Sequence, residues 1–238
     1  MARKKRRRAV WPLALLLPLL FPLAYYAWLP SADELVTTIP KVTALMQQRL
    51  DEPKKTWTKP RRTVVPLSQI SPLMVKAVVL SEDARFYQHD GFDWTEIGNS
   101  VEKNLSEGRF ARGGSTLTQQ LAKNLWLGTK KTLARKLDEA ILAVKLERAL
   151  SKERILEVYL NVVEWGPGVF GVESAARTHF GVSAAELRPY QVALLVGMLP
   201  APRKSRIDKP SEAFKARARR VMALIGEDPS ELESRISR

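Results

Sequence analysis

The 238-residue chain has no cysteine and just two histidines, His89 and His179. The first absence excludes a disulfide framework, an iron–sulfur cluster and a thiolate zinc site. The second leaves too few imidazoles for a multi-histidine metal centre. No glycine pattern of the Rossmann or P-loop kind occurs, and no strand signature repeats. Any catalysis must therefore rest on carboxylates, hydroxyls and basic groups. Acidic residues are scarce beside basic ones: 25 Asp and Glu against 39 Lys and Arg leave a net charge of +14. Six of those basic residues are Arg3, Lys4, Lys5, Arg6, Arg7 and Arg8, so the excess persists without them. With 45% apolar and 27% charged residues, the composition is that of a folded chain. Residues 31–238 suffice for one large domain or two small lobes.

Charge is also missing locally. From Ala9 to Pro30 the 22 residues AVWPLALLLPLLFPLAYYAWLP carry none. A bilayer core about 30 Å thick needs roughly 20 apolar residues in a helix, so the run is long enough to span. The basic residues 3–8 precede it and the next one is Lys41. By the positive-inside rule the N-terminus is then cytoplasmic and everything after residue 30 is outside, with Tyr25, Tyr26 and Trp28 at the outer interface. A cleaved signal peptide is the competing reading. The run exceeds the usual stretch of about 7–15 apolar residues and lacks a clear small-x-small cleavage site, which favours an uncleaved anchor. Pro12, Pro18 and Pro22 weaken the helix, although membrane helices tolerate proline. The expected organisation is a basic cytoplasmic tail over 1–8, an anchor over 9–30, a stem over 31–66 and a catalytic domain over 67–238.

Beyond the stem the pattern is mainly α-helical. MVKAVVL at 74–80 is too short to decide between helix and strand. Ser115 is the expected N-cap of a helix reaching Leu127, with Leu117, Leu121 and Leu125 on one stripe, a polar face of Thr116, Gln120 and Lys123, and a stop at Gly128. A second helix is expected over 132–150 with Leu133, Leu137, Ile141 and Val144 as its apolar stripe. A third starts at Ser151 and runs to Asn161, and two more helical pieces fall at 175–180 and 190–199.

Three constellations carry chemistry. Glu82 and Asp83 follow an apolar run, where a partly desolvated carboxylate has a raised pKa and serves as a base. The plainer reading pairs Glu82 with Arg85 and makes His89 a satisfied buried histidine. Gly113, Gly114, Ser115 and Thr116 open a helix whose free N–H groups and dipole attract anions, with Lys123 extending the site; ordinary capping is the alternative. Arg135, Lys136 and Glu139 share one helix face, either as a cationic site or as a solvated salt-bridge face. Ser100 and Lys103 match Ser-x-x-Lys, but the partner motifs of transpeptidases are absent.

In order and spacing, EDARFYQHDG, RGGSTLTQQLAKN, RKLDEAILAVKLE, KERILEVYLN and GVFGVESAARTHFG resemble the five motifs of the family 51 peptidoglycan glycosyltransferases. The resemblance runs from about Leu67 to Lys204. The single anchor, the EWGPGVFG stretch and the absence of a following transpeptidase domain point to the monofunctional, biosynthetic branch.

The resemblance implies a lysozyme-like, all-α catalytic lobe and a smaller membrane-proximal jaw lobe, with 92–111 in or beside the jaw. It implies polymerisation of lipid II into linear glycan strands, inversion at C1 and release of undecaprenyl pyrophosphate. Glu82 then matches the essential base, Glu139 the second essential glutamate and Asp83 the neighbouring acid. Ser115, Thr116, Gln120, Lys123, Arg135 and Lys136 match positions that bind the lipid-linked donor. No protein metal site is expected; a magnesium or manganese ion at the pyrophosphate is the one cofactor considered. The expected partners are lipid II, the growing strand, membrane lipid and other cell-wall synthases or divisome proteins, with no nucleic acid. The expected location is the bacterial inner membrane, single-pass, with the catalytic domain periplasmic. At Thr178 to Val182 the chain departs from the family's usual tyrosine-phenylalanine-glycine-lysine. A lytic transglycosylase or lysozyme-like murein hydrolase on the same broad fold, and a non-catalytic anionic-lipid scaffold using Arg217, Arg219 and Arg220, are the rival readings.

Overall fold

The structure is a computed structural model that describes residues 22–52, 59–107, 114–130 and 132–236, apart from the side chains of 101 and 103–107. The chain divides into two compact units, Met1–Ser31 and Ala32–Arg238. The expected anchor lies mostly outside the described residues. Its described part contains the helix α1 (22–28), and no described helix is long and apolar enough to cross a membrane.

The second unit is built from α2 (Ala44–Leu50), α3 (Pro72–Glu82), α4 (Trp94–Glu107), α5 (Leu117–Ala122), α6 (Leu133–Ala149), α7 (Lys152–Val162), α8 (Val172–Phe180), α9 (Pro189–Met198), α10 (Glu212–Ile225) and α11 (Pro229–Ile236). The short strands β1 (Glu164–Gly166) and β2 (Val169–Phe170) form an antiparallel hairpin between α7 and α8. Apolar α9 sits at the centre, buried from Gln191 to Met198, with α3 and α10 packed against it. Gly197 permits the closest approach, since a Cβ there would lie 3.3 Å from both the Ala218 nitrogen and the Phe214 ring. Fully burying each Leu or Val of this layer contributes about 1.5–3 kcal/mol.

The ambiguous 74–80 stretch is helical within α3. Pro72 occupies the first turn, where its missing N–H costs nothing, and Met74, Ala77 and Val78 recur at helical spacing on the buried side. Ser151 caps α7 as expected, its hydroxyl accepting the Arg154 N–H.

Two details of the sequence reading are corrected. Thr116, not Ser115, caps α5: its hydroxyl accepts the Gln119 N–H while the Gln119 amide accepts the Thr116 N–H. Thr116 is buried where this box can close, whereas Ser115 is exposed one residue too early. The stripe on α6 is also different. Leu133 and Leu137 are 91% and 58% exposed, and the buried positions are Glu139, Leu142, Ala143 and Leu146. The first turns of α6 turn a glutamate inward rather than a leucine, and that glutamate belongs to the site described next.

Part of the stretch read as a stem lies along the helical unit. Main-chain N–H groups of Arg61, Thr63, Val65 and Leu67 donate in turn to the Gly168 carbonyl (2.8 Å), Ser174 Oγ (2.7 Å), Asn161 Oδ1 (3.0 Å) and Glu157 Oε2 (2.8 Å). Alternate residues bond, as an extended chain requires. Gly171 opens α8 beneath this strap at φ +77°, and a Cβ there would meet the Asn161 carbonyl oxygen at 2.8 Å.

Candidate active site

Glu82 is the last residue of α3. The chain leaves the helix at Asp83 with an extended φ of −163°, so the neighbouring carboxylates meet different partners. Asp83 is buried. Its Oδ1 accepts from His89 Nε2 at 2.9 Å, and its Oδ2 accepts the Leu117 N–H at 2.9 Å, tying the loop after α3 to the start of α5. His89 Nδ1 is buried with no partner.

Glu82 has one hydrogen bond in the site, from Gln120 Nε2 to Oε2 at 3.1 Å. Burial pushes its carboxyl above the ordinary glutamate value and Asp83 adds to the rise, against the pull of the Gln120 donor and of the Lys123 charge. Arg85 pairs instead with Asp93, at 3.6 Å. The plainer Glu82–Arg85 pairing is therefore not what the structure forms. Tyr159, wholly buried on α7, donates its hydroxyl to Gln120 Oε1 at 3.0 Å.

Lys123 begins a π-helical turn, Lys123–Leu127, that continues α5 and closes with the Gly128 N–H donating to the Lys123 carbonyl at 2.9 Å. Such turns recur at functional sites because the extra residue re-aims side chains. Gly128, at φ +66°, ends it, and Gln48 of α2 holds the next residue at both ends. Its Oε1 accepts the Thr129 N–H at 2.9 Å and its Nε2 donates to Thr129 Oγ1 at 2.7 Å. Burial pushes the Lys123 ammonium below the ordinary lysine value. Glu139 and Glu82 oppose that fall, while Arg135 and Lys136 reinforce it.

Glu139 is 3% exposed and its two oxygens are both taken. Arg135 Nη1 donates to Oε2 at 2.6 Å and Lys136 Nζ to Oε1 at 2.5 Å. Lys136 Nζ also reaches Ser115 Oγ at 3.1 Å. The Arg135 Nε–H is buried without a partner. Three cations thus surround one paired carboxylate and one carboxyl of raised pKa, leaving an excess of positive charge where an anion would bind.

The structure therefore brings together Glu82, Gln120, Lys123, Arg135, Lys136, Glu139 and Ser115. Asp83 and Thr116 stand behind them: the Thr116 hydroxyl donates to the Gly91 carbonyl at 2.8 Å and closes the α5 cap. The sequence reading assigned no role to Tyr159 or Gln48. A tyrosine in the apolar run of α7 was the one available signal, because a buried hydroxyl needs a partner. Nothing near Gln48 marked it. Among the described residues no group of three or more His, Cys, Asp or Glu side chains is arranged to hold a metal ion.

A raised carboxyl beside a cationic cluster is the equipment of group transfer from an anionic leaving group, and the sequence agrees. The transglycosylase family matches residues 49–225, and the chain belongs to it. Over 166 residues it is 49% identical to the biosynthetic peptidoglycan transglycosylase of Nitrosospira multiformis, covering 69% of this chain and 72% of that one. The protein of the same name from Azoarcus sp. is 50% identical over 167 residues, covering 69% and 72%. That of Nitrosomonas eutropha is 43% identical over 214 residues, covering 89% of this chain and 88% of its own.

Proposed function

We propose that this protein is a peptidoglycan glycosyltransferase that polymerises lipid II into linear glycan strands and releases undecaprenyl pyrophosphate. The observation that carries the reading is the pairing of Glu82, a carboxyl of raised pKa, with Lys123, Arg135 and Lys136 gathered around Glu139. Glu82 takes the proton from the 4-hydroxyl of the acceptor sugar. That oxygen attacks C1 of the donor sugar from the face opposite the pyrophosphate, the new C1–O bond inverts α to β, and the diphosphate leaves with the electron pair of the broken bond. A diphosphate is a good leaving group that needs positive charge more than a proton, and Lys123, Arg135 and Lys136 supply it. Ser115, held by Lys136, lines the same place, and Glu139 fixes the two cations it pairs. Asp83 and Thr116 act from behind by holding the loop and helix that present these groups.

The chemistry of the donor set bears on the cation at the pyrophosphate. Both Glu139 oxygens are engaged by the protein's own cations, so a magnesium or manganese ion would be carried by the diphosphate oxygens. The finer architecture is also part of the proposal: a lysozyme-like lobe carrying the site, a jaw lobe around α4, and an anchor over 9–30 that keeps the domain on the periplasmic side of the inner membrane beside its lipid substrate. The expected partners are the growing strand, membrane lipid and other cell-wall synthases.

A hydrolase on the same fold would need a second carboxyl free to act on the leaving oxygen. Glu139 is instead ion-paired twice. The scaffold reading loses support from its own residues. Arg217 donates to the Gly197 carbonyl at 2.9 Å and to Ser205 Oγ at 3.2 Å, and Arg219 pairs with Glu233. Incubating detergent-solubilised protein with labelled lipid II tests the proposal. Polymer that lysozyme digests is the expected product. Absence of polymer, with breakdown of preformed murein, would overturn it.

A further inference from the structure

The Gln120 amide has two chemically opposite ends, and only one of them suits an ionised carboxylate. Its Nε2 faces Glu82 Oε2 at 3.1 Å and its Oε1 accepts the Tyr159 hydroxyl at 3.0 Å. Turned over, the amide would set its oxygen against the carboxylate oxygen. Tyr159 is 0% exposed, and α7, which carries it, packs directly on α5, which carries Gln120. The hydroxyl is therefore fixed in place by the core, and it presents a donor to one specific amide atom.

We propose that Tyr159 is a positioning residue for Glu82: by donating to Gln120 Oε1 it commits the amide's N–H end to the carboxylate. This deepens the transferase reading and rests on Glu82 being the base. Aromatic bulk at 159 fills the core whether or not a hydroxyl is present, so the hydroxyl is separable from the packing. The charged and titratable groups that face Glu82 are Lys123 from the π-turn, Asp83 from the adjoining loop and Tyr159 from α7. None of them replaces the Gln120 donor, which among the described residues is the one neutral hydrogen bond acting to lower the Glu82 carboxyl.

Tyr159→Phe in the full chain tests the link with two readouts. One is direct titration of Glu82 by carbon-13 NMR, its resonance assigned by its loss in Glu82→Gln. The other is the acid limb of lipid II turnover. Without the tyrosine hydroxyl the amide loses its orientation and donates less to Glu82, so the carboxyl moves up. Both readouts should shift to higher pH by about half a unit, and turnover below that limb should fall roughly threefold, with the melting temperature lower by a few degrees as the Gln120 oxygen loses its donor. Gln120→Leu should raise the Glu82 titration at least as far, and Tyr159→Phe should add nothing in that background. A folded Tyr159→Phe protein with an unmoved Glu82 titration overturns the inference, as does an equal extra shift on top of Gln120→Leu. Should Tyr159→Phe fail to fold, an unmoved titration in Gln120→Leu overturns it from the other end. If the titration moves as expected while the wild type makes no polymer, the link stands and the transferase reading falls instead.

Discussion

Glu82 and Asp83 are neighbours in the chain with opposite surroundings. Behind the site, Asp83 accepts from an imidazole and from a helix N–H, and the network continues through Glu147, which accepts from Thr118 Oγ1 at 2.5 Å and from Lys152 Nζ at 2.8 Å. Lys152 also donates to the His89 carbonyl and lies 4.4 Å from the centre of the Phe86 ring. Every carboxylate in this rear cluster has at least two donors. At the front, Glu82 has a single amide, and two cations share one glutamate with Lys123 nearby. The rear carboxylates are each held by two donors, whereas Glu82 at the front keeps one donor and a raised pKa.

Four changes put that contrast at risk, starting with the largest effect. Glu82→Gln should cut polymer formation by about a thousandfold or more and yet raise the melting temperature at neutral pH, because a desolvated charge is removed. The sign follows from the raised carboxyl. The stability its neutral form provides is whole below the ordinary glutamate value and lost as pH rises through the raised one, so the variant's advantage should vanish in acid. A melting curve that shows no gain at any pH would mean that the front is as well satisfied as the rear.

Asp83→Ala should behave in the opposite way. It strands His89 Nε2 and the Leu117 N–H, so unfolding free energy measured in urea should fall by about 2–4 kcal/mol. Activity per folded molecule should fall less than for Glu82→Gln. Lys136→Met removes a cation whose side chain is 47% exposed. The expected outcome is a kcat/KM for lipid II lowered by about tenfold, since one charge-assisted contact to the diphosphate is lost. An unchanged kcat/KM would remove Lys136 from the donor site. Arg219→Ala is the baseline: its partner Glu233 is on the surface, and stability should stay within about 0.5 kcal/mol. A larger loss there would show that surface pairs in this protein matter as much as the front cations.

Much of this was legible in the sequence because it is local. Proline at the start of α3, serine before α7 and leucines four apart in α5 are short-range signals, and the helices follow them. The side chains that the structure gathers were legible through their motif order, which places Glu82, Gln120, Lys123, Arg135, Lys136 and Glu139 in one family pattern. What escaped depends on contacts far apart in the chain. The cap passed from Ser115 to Thr116 because Gly91, 25 residues earlier, receives the threonine hydroxyl. Leu133 and Leu137 look like a core stripe by spacing, but α6 turns Glu139 inward between two cations instead. Gln48 reaches Thr129 across 81 residues, and Tyr159 reaches Gln120 across 39. No window on the sequence holds either pair.

The strap over 61–67 has a mechanical meaning. Its four donors are held by acceptors on α7, α8 and the hairpin, so one extended segment fastens three elements to one another. Undoing any one knot leaves three, so the three elements stay laced together when a single bond opens.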